Sequence, residues 1–333
     1  MKTENTSEIE FPETLNEAMK YFGDQERAFE FMKTLRWPDG VVKCPRCNSS
    51  EVSFISTRKL WTCKHCVTKK QFTIKVGTVL EDSAITFDKW LCAFWLIANA
   101  KNGISSYEIG RALGVTQRTG WFMLQRIRLA MQNGSIVKLG GHVEVDETFI
   151  GAKARNMHYK VKKERRIKNG GYAHMTPVIG LLERGIRDKA SRIKVEVVAS
   201  RTKKDLQKKV RKYVLKGANI ITDALPSYNG LEEDGFTREF VDHAKAYANG
   251  HVHTNGLENF WSLLKRSIRG TYVNVEPFHL FRYLDEQAFR FNERKDKDGD
   301  KGRFLTAIAG IFGKGLTWNE LTGKNIQAGG LPA

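Results

Sequence analysis

The stretch HVEVDETFIG, residues 142–151, decides the fold of this 333-residue chain. Its valines, phenylalanine and isoleucine are typical of a strand that ends at a glycine. Three carboxylates interrupt the strand, those of Glu144, Asp146 and Glu147, although the chain carries a formal net charge of +18. Because side chains alternate across a strand, Glu144 and Asp146 share one face and Glu147 points to the other. Acids placed in this way in a basic protein favour a site for a divalent cation.

Hydrophobic runs further along the chain predict a sheet built on this strand. Runs at 176–183 and 192–199 indicate two more strands, a helix follows over 201–216, and the strand ANIITD ends at Asp223. Three successive strands, a helix and a further strand are typical of an α/β fold, with a mixed sheet flanked by helices. Asp146 then lies in the first strand of the sheet and Asp223 at the end of a later one.

A third acid lies on a predicted helix in HTNGLENFWSLLKRSIRGTY. Apolar residues at i, i+3, i+4 and i+7 from Leu257 mark its buried stripe, and Glu258 lies beside that stripe. Two strand aspartates and a helical glutamate are what a two-metal phosphoryl-transfer site with Mg²⁺ or Mn²⁺ requires. Plainer interpretations exist, because Glu258 could complete a capping box begun by Asn255, and Asp223 could be a turn residue.

Cysteine spacing gives the sharpest local signal. Four of the five cysteines form CPRC (Cys44 and Cys47) and CKHC (Cys63 and Cys66), with 15 residues between the pairs. Two such turns at this separation supply the four soft ligands of a tetrahedral Zn²⁺ ion, and the intervening residues suit the hairpin of a zinc ribbon. His65 is a possible substitute ligand, although a solvated neighbour of the site is the simpler interpretation.

The segment from residue 104 to residue 131 predicts two short helices joined by a glycine turn. Ser105 and Glu108 form a capping box for the first helix, and Gly114 supplies the turn. This arrangement resembles a helix-turn-helix, in which Gln117 and Arg118 at the start of the second helix would reach base edges. An ordinary helical hairpin has the same pattern.

Basic charge is concentrated after the first forty residues. Residues 1–40 carry nine acids and five bases, whereas loop 152–174 has eight lysines and arginines against one acid, and helix 201–216 has eight against one. Neutralising phosphates releases counterions, so this excess favours DNA as a partner over a merely solvated basic surface. Candidate phosphate contacts in the loop are Lys160, Lys162 and Lys163.

Nothing in the sequence predicts a membrane segment. The longest apolar run, WLCAFWLIANA from Trp90, is far shorter than a bilayer span. The start MKTENTSEIEF is polar and acidic, unlike a secretory signal. We expect a cytoplasmic, nucleoid-associated protein with no membrane partner.

Five motifs together resemble bacterial insertion-sequence transposases that have an N-terminal zinc ribbon and an ISXO-type DDE domain. The resemblance runs from about Leu35 to Asn292 and keeps the family's order. The motifs are LRWPDGVVKCPRC, KQFTIKVGTVLEDS, KNGISSYEIGRALGV, VEVDETFIG and HTNGLENFWSLLKRSIRGTY. The family's fold implies an RNase H-like core.

The resemblance also assigns site residues. It places the catalytic acids at Asp146, Asp223 and Glu258, although ALPSY after Asp223 departs from the usual pattern. Some relatives carry an amide near the third position, so Asn255 competes with Glu258. Lys265 matches the family's helical lysine, and Lys265 and Arg266 are expected to contact DNA.

The reaction implied by the resemblance is Mg²⁺-dependent cleavage at transposon ends, followed by attack of the freed 3′-hydroxyl on target DNA. Both steps are in-line displacements at phosphorus without a covalent protein intermediate. A homodimer or higher oligomer would hold the DNA ends together. Two alternatives remain: a stand-alone nuclease of the same fold, and a zinc-ribbon regulator that binds DNA without chemistry.

These patterns divide the chain into five segments. We predict a helical segment at 1–40, a zinc ribbon at 41–82, a helix-turn-helix region at 83–135, the RNase H-like domain at 140–295 and a tail at 296–333.

Overall fold

Two compact units make up the chain. A computed structural model describes residues 11–132, 137–152, 157–164, 172, 174–186, 189–241 and 252–324. The first unit combines Met1–Gln132 with Asp296–Ala333, and the second is Asn133–Lys295. Within the described ranges, no helix has the length and apolar character needed to cross a membrane.

The described helices and strands are numbered in chain order. They are α1 (Leu15–Gly23), α2 (Gln25–Arg36), β1 (Val52–Ile55), β2 (Leu60–Cys63), β3 (Gln71–Phe72), α3 (Phe87–Asn99), α4 (Ser106–Leu113), α5 (Gln117–Met131), β4 (His142–Ile150), α6 (Tyr159–Glu164), β5 (Thr176–Glu183), β6 (Arg192–Val197), α7 (Lys203–Tyr213), β7 (Asn219–Asp223), β8 (Thr237–Val241), α8 (Asn255–Ser267), α9 (Leu280–Asn292), α10 (Gly299–Ala309) and α11 (Trp318–Leu321).

In the first unit, three short strands form an antiparallel sheet in the order β1-β2-β3. Trp61 of β2 is buried, and its ring stacks on Phe29 of α2 and on Phe72 of β3, with 5.9 Å between centroids in both pairs. One indole therefore joins this sheet to a helix that the sequence assigned to a separate N-terminal segment. Aromatic packing across residue 40 explains why that boundary is not a physical one.

The C-terminal residues 296–324 also pack in the first unit. Arg303 Nε donates to the side-chain oxygen of Asn99 over 2.9 Å, and Lys314 Nζ donates to backbone carbonyls at the end of α5, one of them at 2.7 Å. Phe304 is fully buried, 5.3 Å from the ring of Phe22. The sequence predicted a tail over residues 296–333, but the described part of that segment supplies core residues, because its apolar positions are buried against α1 and α3.

In the second unit, a five-stranded sheet has the order β6-β5-β4-β7-β8. The pairs β4–β5 and β5–β6 are antiparallel, while β4–β7 and β7–β8 are parallel. The chain passes from the edge strand β6 to β7, the parallel neighbour of β4, through the crossover helix α7. The predicted mixed sheet flanked by helices is confirmed.

The two faces of this sheet have separate cores. Val143 and Val145 of β4 face α7, where they pack with Leu206 and Val210. On the opposite face, Ile150 packs with apolar residues of α8 and α9. Alternation along β4 sends its acids to both sides: Glu144 and Asp146 lie on the α8 face, and Glu147 lies on the other. The opposite orientation predicted for Glu147 thus agrees with its contacts, described below.

Candidate active site

Two aspartates meet at neighbouring strands of the second unit. Asp146 lies in β4, and Asp223 is the last residue of β7, which runs parallel to β4. The register pairs Glu144 with Ile221, so two residues further along both strands bring Asp146 and Asp223 to the same edge of the sheet. Two residues 77 positions apart along the chain are thus brought to one edge by strand pairing.

Electrostatics connects all three predicted acids. The pKa of Asp146 is raised to about 6, mainly by burial and in part by the negative charges of Asp223 and Glu258. A hydrogen bond from Trp261 opposes these effects. Asp223 is half-buried and Glu258 is exposed. The three acids therefore share one electrostatic neighbourhood, open to solvent on the side of Glu258.

Helix α8 lies directly on the sheet beside Asp146. Trp261 Nε1 donates to Asp146 Oδ2 over 2.9 Å. Gly180 of β5 pairs with Asp146, and a Cβ atom at Gly180 would stand 2.7 Å from the Trp261 ring and 2.8 Å from Leu257. A side chain at residue 180 would push the helix away, so this glycine allows the indole to reach the carboxylate.

Glu144 fixes the beginning of α8. Its Oε2 atom accepts the backbone N–H of Leu257 over 3.0 Å, and its Oε1 atom accepts Arg184 Nε over 2.7 Å. A Cβ atom at Gly256 would stand 2.8 Å from Glu144 Oε2, so a glycine is needed for the carboxylate to approach the helix. An anion at a helix N-terminus is stabilised by the free amides and the helix dipole. Glu144 therefore has a structural role. Of the two acids on this face of β4, Asp146 is the one that interacts electrostatically with Asp223 and Glu258.

The capping-box interpretation of Glu258 is wrong. Asn255 is the first residue of α8 and not its cap; Thr254 occupies the cap position without a side-chain hydrogen bond. Because Glu144 supplies the anion at this terminus, the exposed Glu258 carboxylate is not needed there. Asn255 is also exposed, one turn earlier on the same helix.

The donor chemistry of the three acids suits a hard divalent cation. Carboxylate oxygens are the ligands that Mg²⁺ and Mn²⁺ prefer. Among the described residues, only the four cysteines form a group of three or more whose ligand atoms all lie within 4.8 Å of one another. The three carboxylates do not form so close a group among the described residues.

A fourth acid, Glu147, is buried on the other face of β4. Its side chain is 1% exposed, and Arg201 approaches its Oε2 atom with two nitrogens, each at 3.0 Å. The pKa of Glu147 is raised to about 8, mainly by burial, although the Arg201 guanidinium opposes the shift. The charges of Asp223 and Asp146 raise the pKa as well. Sequence reasoning missed Arg201, because nothing local links it to Glu147.

Basic residues of α8 adjoin the acids. Lys265 is half-buried; burial and the neighbouring Arg269 lower its pKa, while the Asp146 carboxylate raises it. Lys265 therefore lies within electrostatic reach of Asp146, and Arg266 next to it is exposed. Contact between these two side chains and a DNA phosphate stays a prediction.

The other predicted DNA contacts lie on two elements. Lys160, Lys162 and Lys163 are on α6, where Lys160 and Lys163 are exposed and Lys162 is half-buried. Much of the surrounding basic loop, at 153–156 and 165–171, lies outside the described residues.

Helices α4 and α5 cross closely. The capping box of Ser105 and Glu108 is present, and Gly114 ends α4 with φ 60°. A Cβ atom at Gly120 of α5 would stand 2.8 Å from the carbonyl oxygen of Ser106, so this glycine sets the crossing distance. Sequence reasoning did not single out Gly120.

Both residues proposed to reach base edges already have partners within the first unit. Gln117 Nε2 donates to Ser106 Oγ over 2.8 Å. The Arg118 guanidinium lies 4.3 Å from the ring centroid of Trp318 in α11. Each side chain is nevertheless exposed. Reading a base would require Gln117 to exchange a hydrogen bond and Arg118 to leave or extend from an aromatic face.

The four cysteine sulfurs converge in the first unit. Cys44 Sγ lies 3.7 Å from Cys66 Sγ, and Cys47 Sγ lies 3.5 Å from Cys63 Sγ. A tetrahedral site with Zn–S bonds of about 2.3 Å needs sulfurs about 3.8 Å apart. The cluster therefore fits a structural zinc ion. His65 Nε2 instead lies 3.1 Å from Glu51 Oε1, outside the cluster.

Comparisons with known proteins match two parts of the chain. Residues 138–292 match a family described as the ISXO2-like transposase domain, and residues 23–69 match the transposase zinc-ribbon domain. The chain is also similar to an uncharacterized transposase-like protein of Haemophilus influenzae, with 30% identity over 88 residues, which cover 26% of this chain and 71% of that protein. The ribbon match begins at the last residue of α1 and includes α2, the helix on which Trp61 packs.

Proposed function

We propose that this chain, which belongs to the family of insertion-sequence transposases with a zinc ribbon and an ISXO2-like transposase domain, cleaves DNA at the ends of a mobile element and joins the freed 3′ ends to target DNA. The observation that carries this proposal is geometric: inside the matched domain, Asp146 and Asp223 lie at one edge of two paired parallel strands, and the helix that carries Glu258 is bonded to Asp146 through Trp261. A DNA-binding regulator has no use for a partly buried cluster of like charges, because such a cluster repels phosphate and costs stability.

The three acids would hold Mg²⁺ or Mn²⁺. When bound, the metal would lower the pKa of the attacking water or hydroxyl and neutralise charge on the leaving oxygen. The protein keeps the acids in place: the Trp261 N–H orients the Asp146 carboxylate, and Glu144 fixes the start of the helix that carries Glu258. Fixed ligand geometry of this kind supports in-line displacement at phosphorus.

The basic residues would hold the DNA backbone over this acidic patch. Lys265 and Arg266 lie on the same helix as Glu258, and the lysines of α6 extend the positive surface. Phosphate contacts position the duplex without reading sequence. The zinc ribbon and the α4–α5 pair would recognise the element's ends, with Gln117 and Arg118 as candidate base contacts. Because two ends must be joined in one event, we expect a homodimer or a higher oligomer in the DNA complex.

The decisive experiment compares cleavage with joining on two DNA substrates. One is an intact duplex carrying the element's terminal sequence, and the other carries the same end already cleaved, with a free 3′-hydroxyl. A transposase cuts the first substrate and joins the second to target DNA in the presence of Mg²⁺. A nuclease of the same fold cuts without joining, and a regulator binds both substrates without changing either.

Matched variants link any activity to the proposed acids. Asp146→Asn keeps the shape of the side chain and removes a charge, so it should remove both cleavage and joining. Glu276→Gln changes an exposed acid of the same unit and should leave both reactions intact. Activity that persists in the Asp146→Asn protein would overturn the assignment. Glu147→Gln does not serve as an inert control, because Glu147 is buried and paired with Arg201.

A further inference from the structure

A strained apolar residue stands at the end of helix α8. Val273 has φ 62° and ψ −58°, and the backbone N–H of Asn274 donates to the carbonyl oxygen of Tyr272 over 2.7 Å. These values define the rare and strained form of the γ-turn, in which the central residue has positive φ. A β-branched residue with positive φ is an outlier that glycine would adopt without strain. The Val273 side chain is nevertheless 78% exposed, so it gains no burial in return.

Firm packing on both sides holds this turn. Ile268 before it and Val275 after it pack against the core beneath α8. The Tyr272 hydroxyl bonds to Glu286, which is fully buried and paired with Arg290. The strain is therefore sustained by the surrounding structure rather than relieved by a loose loop. Strained conformations that are held in this way concentrate at functional positions.

Basic residues of α8 and of the turn after it lie along the chain between the proposed active site and Val273. A π-helical turn, Ile268–Tyr272, connects α8 to Val273. Lys265 and Arg269 follow Glu258 at i+7 and i+11 and so share its face of the helix. At 1.5 Å per residue, the fifteen residues from Glu258 to Val273 span about 20 Å. That length corresponds to about six base pairs of duplex.

We propose that Val273 is a wedge that enters a base step of the duplex held along α8 and unstacks it near the reacting phosphate. This rests on the proposed function, in which DNA lies over the acids and follows the basic face of the helix. Apolar side chains inserted between base steps kink DNA, and the exchange is favourable when cations nearby hold the phosphates. A deformed duplex exposes its backbone to in-line attack. This role would account for an exposed, strained valine that is not stabilised by burial.

The test measures base unstacking without any chemistry. Terminal-sequence and target duplexes carry 2-aminopurine, whose fluorescence rises when it is unstacked, at successive positions on both sides of the reacting phosphate. Wild-type protein without added divalent metal should raise the fluorescence at one step. Val273→Gly fits the backbone and removes the side chain, so it should lose that rise while keeping its thermal stability and most of its affinity. Val273→Leu, which remains apolar, should keep the rise.

A second arm measures joining to intact and mismatched targets. Unstacking a step costs a few kcal/mol, least at a mismatch, so Val273→Gly should join intact target DNA about tenfold more slowly. A mismatch at the same step should restore joining. Equal fluorescence for the wild type and Val273→Gly would overturn the wedge. If the wild type neither cuts nor joins any DNA, the proposed function fails, and the fluorescence arm still decides whether the wedge exists.

Discussion

The cysteine cluster and the three acids proposed for catalysis are two groups of candidate ligands built in opposite ways. The four cysteines lie within 23 residues of one another, and their sulfurs all fall within 4.8 Å. The three acids come from β4, β7 and α8, and their oxygens do not converge to that distance. Two short turns assemble the first site locally. The second needs a complete sheet and a helix docked on it, and its like charges repel one another, a repulsion that the proposed cation would compensate.

Loss of one acid is expected to have the largest effect. Asp146→Asn, Asp223→Asn and Glu258→Gln should each lower cleavage and joining by about 10³-fold or more, because one unit of charge is removed from a shared metal site. Residues that act as a unit are not additive, so a double variant should lose little more than either single one. Single-turnover assays in Mg²⁺ measure this.

The same assays test the third position and the electrostatic claim. Asn255→Ala should lower cleavage and joining less than Glu258→Gln does, because Glu258 carries a charge that acts on Asp146 and Asn255 carries none. DNA affinity without divalent metal should hold or rise slightly when an acid is removed, because a charge that repels phosphate has gone. Substantial cleavage by Glu258→Gln would break the assignment of this acid.

Removal of zinc should unfold the locally built site. We expect about one zinc per chain, and Cys63→Ser should unfold the ribbon, because binding of a structural metal supplies its folding free energy. End binding should weaken while the second unit stays folded and keeps its near-ultraviolet circular dichroism. Metal analysis of undenatured protein checks the zinc content. A folded ribbon in protein that contains no zinc would contradict the prediction that the metal supplies the ribbon's folding free energy.

Removal of the Glu144 charge tests how much the contact between Glu144 and the start of α8 contributes to the stability of the second unit. Glu144 is 2% exposed, and Arg184 would keep its charge after Glu144→Gln, so the free energy of unfolding of the second unit should fall by about 3 kcal/mol. Asp234→Asn, which breaks a more exposed pair with Arg211, should change it little. Denaturant titration provides the comparison, and similar losses for both variants would exclude a special role for Glu144.

The smallest expected effect concerns Arg118. If its guanidinium leaves Trp318 to read a base, Arg118→Ala should cost about 1–3 kcal/mol on the terminal sequence and relax the preference at one position. Lys160→Ala should instead weaken binding to all sequences alike and reduce the salt dependence. Binding measured over a series of salt concentrations separates the two. Equal losses of Arg118→Ala on terminal and random DNA would place Arg118 among the backbone contacts.

Local patterns explain which parts of the molecule were predictable. The capping box of Ser105, the glycine turn at Gly114 and the cysteine knuckles depend on residues within a few positions of one another, and all three were predicted correctly. The alternation of β4 placed Asp146 and Glu147 on opposite faces for the same reason. The packing across residue 40 and of the segment after residue 296 was not predictable, because aromatic contacts between distant parts of the chain decide it.

The sequence by itself determined the residue types of both sites and the strand and helix periods that carry them, because these depend on short-range sterics and on the chemistry of each side chain. Only the tertiary structure decided which acids meet. It engaged Glu144 at the start of α8, paired Glu147 with Arg201, and left Asp146 facing Asp223 and Glu258. Those choices depend on strand register and on the space at Gly180, which arise only when distant segments pack together.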